Sequence, residues 1–304
     1  MKPFDVVGLG YCNIDYLGIA PHYPALDEKV KLLEFTRQGG GVTGSAMAAV
    51  ARLGGKARYI GKIGDDDFGR FLLAEFQAEN VDTGALIVQP SSPTPFSFIV
   101  VDQATGKRTI LWTPSGMMLY PHEVRREDVI TGKVLHVDAH YAEAAMQAAL
   151  WANEANIPVV MDAGSFRHGS IELMERTDFL IASELFAKES TGSVNPEESV
   201  RRLFSGRRKL AAVTLGERGC IYMTSEGMFR QPAFTVDVVD TTGAGDVFHG
   251  AFSYGLAQNW EYADIIRFAS AVAALKCTKL GGRAGIPTLD ETMSFLDAQS
   301  QIPR

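Results

Sequence analysis

The chain has 304 residues, 46% of them hydrophobic, and a formal net charge of −7 at neutral pH. This length allows one large α/β domain or two small ones, and the hydrophobic share is enough for a full core. The acidic balance argues against nucleic acid as the main partner, and no apolar run approaches the length of a membrane span.

Strand-like and helix-like segments alternate along most of the chain. Apolar, β-branched runs predict strands at 5–10, 57–63, 133–138, 157–162, 178–182, 209–215 and 236–240. Helical spacing of apolar residues predicts helices at 45–53, 66–79, 141–156, 196–204, 246–258, 260–276 and 289–300. This alternation is typical of an α/β fold with a parallel sheet covered by helices on both faces.

Two segments interrupt the alternation, and both look like half-exposed strands. Residues 13–36 and 94–113 alternate apolar and polar side chains, and the second contains a turn at 103–106. Such strands do not fit inside a parallel sheet, so they predict a separate β-flap that projects from it. No composition shift or linker marks a second domain. We therefore predict one domain, 1–304, with these two segments as insertions.

Residues 240–252, DTTGAGDVFHGAF, form the most informative motif. Glycines let the backbone approach a ligand, and the first N–H groups of the following helix favour an anion such as phosphate. A carboxylate at that place, Asp246, is explained if it acts as a base beside the phosphate. Its position at a helix N-terminus predicts a lowered pKa. The alternative is a glycine turn with Asp246 as an ordinary N-cap.

Residues 39–69 form a second motif: a glycine turn, a helix of small residues, a strand and a loop of three aspartates. This pair of motifs, in this order, resembles the signatures of the ribokinase-like (PfkB) carbohydrate kinases. The resemblance runs from GLGYCNID near the start to GGRAGIP near the end. It implies a three-layer α/β/α sandwich with a mostly parallel central sheet and a small β-sheet lid. It also implies ATP-dependent phosphorylation of a sugar hydroxyl, and a homodimer joined through the lid.

For catalysis, the resemblance implies that Asp246 accepts the proton of the attacking hydroxyl. The backbone N–H groups of Gly243, Ala244 and Gly245 then form an anion hole for the transferred phosphate. A lid over the sugar would exclude water, which otherwise competes for the phosphoryl group.

For the sugar, the resemblance points to Asn13, Asp15, Gly40 and Gly41. Asp15 follows the first strand, where open α/β sheets bind ligands, and a carboxylate there can accept hydrogen bonds from sugar hydroxyls. The family places asparagine five residues after the first glycine of the pair, and this chain has Ser45. A hydroxyl reaches less far than an amide, so this chain departs from the ribokinase set of hydrogen bonds.

For the nucleotide, the TLGxxG turn implies contacts from Thr214, Gly216 and Gly219, together with Gly245 of the first motif. As a free-standing pattern, a glycine turn after a strand is ordinary hairpin chemistry. The resemblance places the adenine pocket among residues 273–281. The chain has no GxxxxGK[ST] motif, so the site is not a P-loop.

For metals, relatives often hold Mg²⁺ through an Asn-x-x-Glu motif, but the matching residues 183–186 read Ser-Glu-Leu-Phe. Glu184 is the substitute candidate for water-mediated Mg²⁺ binding, and a helix-capping role is the alternative. Asp240 and Thr242 match positions that in ribokinases help to bind a monovalent cation. Use of K⁺ therefore stays open.

The favoured substrate is a neutral ketohexose such as fructose, because residues 231–287 are most similar to the ketohexokinase and sulfofructose kinase branch. A sulfonated, phosphorylated or deoxy-ketoacid sugar would need a cationic side chain in the pocket, and a nucleoside remains a further alternative. The cationic candidates are Lys31, Arg37, Lys107 and Arg108.

Two readings from other classes compete. Gly39, Gly41 and Gly44 satisfy GxGxxG, as in an NAD-dependent oxidoreductase. Against this reading, the strand before them is not the first in the chain, and the acidic residue after the next strand follows a glycine. A non-catalytic sugar or nucleotide sensor of the same fold is the other rival, and the intact Asp246 argues against it.

The cysteines and histidines indicate no metal centre. Cys12, Cys220 and Cys277 lie far apart without a CxxC pair, so they predict buried free thiols in a reducing compartment. The six histidines lack metal-ligand spacing, and His249 is best explained by packing or ribose contact. The N-terminal segment is interrupted by Asp5 and does not resemble a signal peptide. We expect a cytoplasmic protein.

Overall fold

The computed structural model describes residues 2–114 and 116–300 and shows a sheet between two layers of helices. Of the predicted 1–304 domain, Met1, Ser115 and residues 301–304 lie outside the described residues. The strands, in chain order, are β1 Phe4–Leu9, β2 Asn13–Ala20, β3 Glu34–Gly40, β4 Ala57–Ile60, β5 Lys62–Gly64, β6 Ile87–Gln89, β7 Phe96–Asp102, β8 Arg108–Trp112, β9 Gly132–Asp138, β10 Val159–Ala163, β11 Phe179–Ser183, β12 Leu210–Thr214, β13 Cys220–Thr224 and β14 Gly227–Gln231.

Most of the helices follow central strands, as the sequence pattern predicted. The helices are α1 Val42–Arg52, α2 Asp67–Ala78, α3 Arg126–Val129, α4 Ala142–Glu154, α5 Ser170–Met174, α6 Glu184–Thr191, α7 Pro196–Leu203, α8 Ala244–Ala257, α9 Tyr262–Lys276 and α10 Leu289–Ser300. Short 3₁₀ turns lie at Pro121–Glu123 and Gly216–Arg218.

The central sheet has the order β14-β13-β12-β11-β10-β9-β1-β4. The strands from β12 to β4 run parallel, whereas β13 and β14 are antiparallel to their neighbours. Successive strand residues face opposite sides: Val6 belongs to the buried cluster that includes α1, α8 and α9, and Val7 belongs to the cluster that includes α4, α6 and α7. The predicted three-layer α/β fold is therefore confirmed.

Two predicted strands are wrong in detail. The predicted strand 57–63 is two strands, because the chain leaves the central sheet at Gly61 and β5 pairs with β6 instead. The predicted strand 236–240 is not a strand. Its last two amides, those of Val239 and Asp240, donate to the carbonyl of Cys277 at the end of α9, so the segment is held by a helix end and not by a neighbouring strand.

The two irregular segments form a second sheet, with the order β3-β2-β7-β8. β2 is antiparallel to β3 and parallel to β7, and β7 and β8 form the hairpin that was expected around 103–106. Strand β3 runs on to Gly40, so the sheet leads directly into α1. One face packs Leu17, Ile99 and Val101 against Leu280. We call this four-stranded sheet the lid.

Within the described ranges, no helix is both long and apolar enough to cross a membrane. The three cysteines are buried and free, as predicted.

Candidate active site

The carboxyl ends of the central parallel strands and the N-terminus of α8 meet at one edge of the sheet. The imidazole Nε2 of His249, in α8, lies 3.0 Å from the carbonyl oxygen of Ile181 in β11. Asp162 lies near the end of β10, and Thr214 ends β12. Because parallel strands end at the same edge, these groups share one cleft, as ligand sites of open α/β sheets do.

The GAGD turn presents free amides to this cleft. Gly243 is the N-cap of α8 with a φ of 72°, and a Cβ there would lie 2.9 Å from the Cα of Gly282. The N–H of Ala244 donates to Thr241 at 3.3 Å, whereas those of Gly243 and Gly245 have no acceptor among the described residues. Two of the three predicted anion-hole amides are therefore open to a ligand.

The pKa of Asp246 differs from the sequence-based prediction. Burial, followed by the nearby charge of Asp162, raises the pKa of Asp246 to about 7. The predicted lowering by the helix N-terminus was therefore wrong, because burial and a second carboxylate outweigh the helix dipole. Arg108 and His249 act in the opposite direction and favour the charged form.

The second carboxylate, Asp162, was missed by the sequence analysis. Asp162 is 3% exposed, and its Oδ2 lies 3.0 Å from the Nδ1 of His249. The same Nδ1 lies 2.6 Å from the carbonyl of Gly245, while Nε2 faces Ile181. Burial raises the pKa of Asp162 and lowers that of His249. Both ring nitrogens face acceptors, and a neutral imidazole has one N–H, so it can donate to only one side.

The structure brings the predicted sugar-binding residues together. The Nδ2 of Asn13 donates to Asp15 at 2.7 Å and to Ser97 at 2.8 Å. A Cβ at Gly40 would lie 2.0 Å from the Asp15 carboxylate, and Gly41 has a φ of 85°, so both positions need glycine. Burial raises the pKa of Asp15 to about 6, although the Asn13 hydrogen bond opposes this shift. Asp15 is thus a buried acceptor packed against the glycine turn.

Beneath the glycine turn lies Arg283, which sequence reasoning also missed. Arg283 is 1% exposed, its Nη2 donates to the Gly40 carbonyl at 3.1 Å, and its guanidinium lies over Phe76. A Cβ at Gly39 would lie 2.4 Å from this guanidinium. Ser45 is buried on α1 and faces Gly282, so it lies beside the 281–283 segment and makes no hydrogen bond to Asn13 or Asp15 within the described residues.

The nucleotide candidates lie at the end of β12. The hydroxyl of Thr214 donates to Ala182 at 3.3 Å, and Gly216 has a φ of 59° with open space where a Cβ would be. Gly219 has a φ of 85°, and a Cβ there would lie 2.1 Å from the Gln231 carbonyl. The hairpin itself therefore requires Gly219, whereas Thr214 and Gly216 are accessible to a ligand.

The magnesium candidate Glu184 is the first residue of α6 and forms an ion pair with Arg218. The cap of α6 is Ser183, whose hydroxyl accepts from Phe186 N at 3.0 Å. The described part of the chain holds no group of three or more His, Cys, Asp or Glu side chains arranged for a metal. A single carboxylate still fits Mg²⁺, which takes most of its ligands from water and phosphate.

Arg108, the first residue of lid strand β8, contacts the turn that leads into α8. Its Nη1 donates to the hydroxyl of Thr241 at 3.0 Å, two residues before the GAGD stretch. A cation therefore lies beside the open amides, where a transferred phosphate would carry negative charge.

The GxGxxG glycines do not form a dinucleotide site. The strand before them, β3, belongs to the lid and not to the central parallel sheet. The fingerprint requires a central βαβ unit, so this reading is wrong.

Comparison with known proteins gives the family and supports the fold. The family model "pfkB family carbohydrate kinase" matches residues 4–289. Fructokinase-1 of Oryza sativa subsp. japonica is 30% identical over 295 residues, covering 87% of this chain and 90% of that protein. A ribokinase candidate from Agrobacterium tumefaciens superposes with a TM-score of 0.91 at 28% identity, covering 99% of both chains. A ribokinase II candidate from Escherichia coli, solved with ATP and Mg²⁺, has a TM-score of 0.86 at 21% identity and covers 97% of this chain and 99% of its own.

Proposed function

Because the chain belongs to the pfkB family of carbohydrate kinases, we propose that it transfers the γ-phosphoryl group of ATP to a hydroxyl of fructose. The observation that carries the proposal is the GAGD turn, where the carboxylate of Asp246 lies beside open amides at the N-terminus of α8. Phosphoryl transfer needs this combination: a proton acceptor for the attacking hydroxyl and donors for the charge of the transferred group.

Asp246 takes the hydroxyl proton as the sugar oxygen attacks in line. A carboxylate with a pKa of about 7 is a stronger base than an ordinary aspartate and is still ionised in a large fraction of molecules at neutral pH. The N–H groups of Gly243 and Gly245 stabilise the charge on the transferred group, and Arg108 adds a positive charge from the lid.

The sugar pocket favours a neutral substrate. Asp15 and Asn13 offer hydrogen bonds to hydroxyl groups. Among the cations nearby, Arg37 lies over Phe71 and Arg108 bonds to Thr241. Arg283 is buried beneath the glycine turn, where its Nη2 donates to the Gly40 carbonyl and its Nε and Nη1 have no hydrogen-bond partner among the described residues. An anionic sugar would have to take Arg37 or Arg108 from its present partner or reach the buried Arg283.

ATP binds at the ends of β11 and β12, with Thr214 and Gly216 facing its phosphates and ribose. Glu184 would hold Mg²⁺ through water, and the metal would neutralise charge on the β- and γ-phosphates when bound. A structural neighbour of the same fold was solved with both ATP and Mg²⁺, which supports the choice of these two ligands.

The chain also carries an apolar surface suited to a second copy of itself. On the lid face opposite Leu17 and Ile99, Phe35, Phe98 and Leu111 are each more than half exposed. Burying such aromatic and aliphatic side chains against their symmetry mates is a common dimer contact. We propose a homodimer through the lid.

Residues 1–304 would form one kinase domain, with the lid as its insertion. Buried free thiols are stable in a reducing compartment, which supports a cytoplasmic location.

The test is ADP release from Mg·ATP with a panel of neutral sugars, sulfonated and phosphorylated sugars, deoxy-ketoacid sugars and nucleosides. We expect fructose to give the highest kcat/KM. A clear preference for an anionic sugar or a nucleoside would overturn the substrate. ATP binding without turnover on any compound would favour a non-catalytic sensor.

A further inference from the structure

A buried ammonium group lies against the start of the catalytic motif. Lys276, the last residue of α9, is fully buried, and its Nζ donates to the backbone carbonyl of Asp240 at 2.8 Å. The ionisable groups that act on it are Asp240, Cys277, Arg108 and Asp246. Burial lowers the pKa of Lys276, and the Asp240 carboxylate opposes that shift.

Every oxygen of Asp240 accepts a hydrogen bond from the protein. Its Oδ1 accepts from the N–H and the hydroxyl of Thr242, at 2.8 and 2.7 Å, and its Oδ2 accepts from the N–H of Gly281 at 2.8 Å. A potassium ion needs several oxygens that are free of donors. Bound to Asp240 and Thr242, it would also lie a few ångströms from the ammonium of Lys276, and like charges so close repel each other. These residues therefore do not fit the monovalent-cation site that the sequence resemblance implied.

We propose that Lys276 supplies, from within the chain, the positive charge that the resemblance assigned to a monovalent cation, so that the enzyme works without potassium. This proposal depends on the proposed kinase function, in which the GAGD turn binds the transferred phosphate, but it does not depend on which sugar is phosphorylated. Lys276 is a positioning residue. Its hydrogen bond holds the backbone of Asp240, and the Asp240 carboxylate accepts from the N–H groups of Thr242 and Gly281. Thr242 directly precedes Gly243 and Gly281 directly precedes Gly282, and these two glycines pack against each other.

The kinetic test compares potassium with choline at constant ionic strength, for the wild type and for Lys276→Met. We expect the wild-type kcat/KM to change by less than about twofold, below the usual range of allosteric coupling. In choline, Lys276→Met should lose about tenfold or more in kcat/KM, and potassium should restore much of the loss. Lys209→Met, the same substitution at an exposed lysine at the amino end of β12, opposite the edge that carries the cleft, is the matched control and should behave as the wild type.

A second readout needs no turnover: the thermal unfolding midpoint of the ligand-free protein in the same two salts. Potassium should raise the midpoint of Lys276→Met and leave the wild type and Lys209→Met unchanged. This readout stands even if no sugar in the panel is phosphorylated, so failure of the proposed function is distinguishable.

Potassium activation or stabilisation of the wild type would overturn the proposal, and this result needs no variant to fold. A folded Lys276→Met that is as active as the wild type in choline would overturn it too. So would a folded variant that potassium neither activates nor stabilises, because Lys276 would then be an ordinary packing residue.

Discussion

At the scale of single residues, Asp246 is held in a state that suits catalysis more than stability. Replacing Asp246 by Asn keeps the shape of the side chain but removes the proton acceptor. General-base catalysis contributes about 10²- to 10⁴-fold, so we expect kcat to fall by at least about two orders of magnitude. The KM values for sugar and ATP should change little, because the amides and the pocket remain. Steady-state kinetics checks this, and near-wild-type turnover would refute the assigned base.

The pH dependence of kcat/KM should report the same carboxylate. With a pKa of about 7, Asp246 must lose its proton to act, so activity should rise with pH and level off above neutrality. Asp162→Asn removes the carboxyl group that raises this pKa, so the acid limb should move to lower pH. A pH–rate profile of both proteins decides the matter. An unmoved limb would mean that Asp162 has no electrostatic effect on the base.

The stability of the folded protein should change with pH in the opposite direction to its activity, so it should fall as the pH rises. The pKa of Asp246 is about 7 in the folded protein and near 4 in an unfolded chain, so the folded state binds the proton more tightly. The free energy of unfolding therefore falls as pH rises from about 4 to about 7. Asp246→Asn removes this loss, so its melting temperature should exceed that of the wild type at pH 8 and approach it at pH 5. A gap that does not vary with pH would contradict this linkage.

At the scale of helices and strands, the sequence predicted the elements whose apolar residues recur at helical or strand spacing. The parallel central strands and the helices α1, α2, α4 and α7 to α10 follow from their apolar spacing, and the lid follows from the alternation in 13–36 and 94–113, whereas α5, β13 and β14 were not predicted. The break at Gly61 and the loss of the 236–240 strand depend on which partner each segment finds in space. Spacing along the chain carries no information about that.

The residues of the candidate site also fall into two groups, those that the sequence identified and those that it did not. Asp246 and the glycines were recognised from two local motifs, whereas Asp162, Lys276 and Arg283 act through partners far away in sequence. Asp162 did leave a signal, since it ends the predicted strand 157–162 at the edge where ligands bind. Lys276 and Arg283 left none, because buried cations are rare and a lysine or arginine in a sequence is normally assumed to be exposed.

The lid offers a test of assembly. Leu111→Asp places a charge in the exposed apolar face that includes Phe98, so a dimer through the lid should dissociate. Leu26→Asp is the matched control, because Leu26 is 95% exposed and lies outside the lid strands. We expect light scattering to show a dimer for the wild type and the control, and a monomer for Leu111→Asp. A wild type that is monomeric at micromolar concentration would refute this interface.

At the scale of the whole molecule, the cleft joins distant parts of the chain. The lid and the 281–283 segment both contact the turn that leads into α8, and the 281–283 segment also contacts the turn at 39–41. Ligands bound there contact all of these parts in the folded protein and none of them together in the unfolded chain. Binding should therefore stabilise the whole domain and not the cleft alone.

We expect fructose with Mg·ADP, each at about a hundred times its Kd, to raise the melting temperature by roughly 5 °C or more. Asp246→Asn should show the same rise, because its pocket is intact although its turnover is lost. Differential scanning fluorimetry of both proteins therefore separates binding from chemistry. If the variant lost the ligand-induced rise, Asp246 would hold a ligand in place as well as accept its proton, and the low turnover of that variant would no longer identify the base.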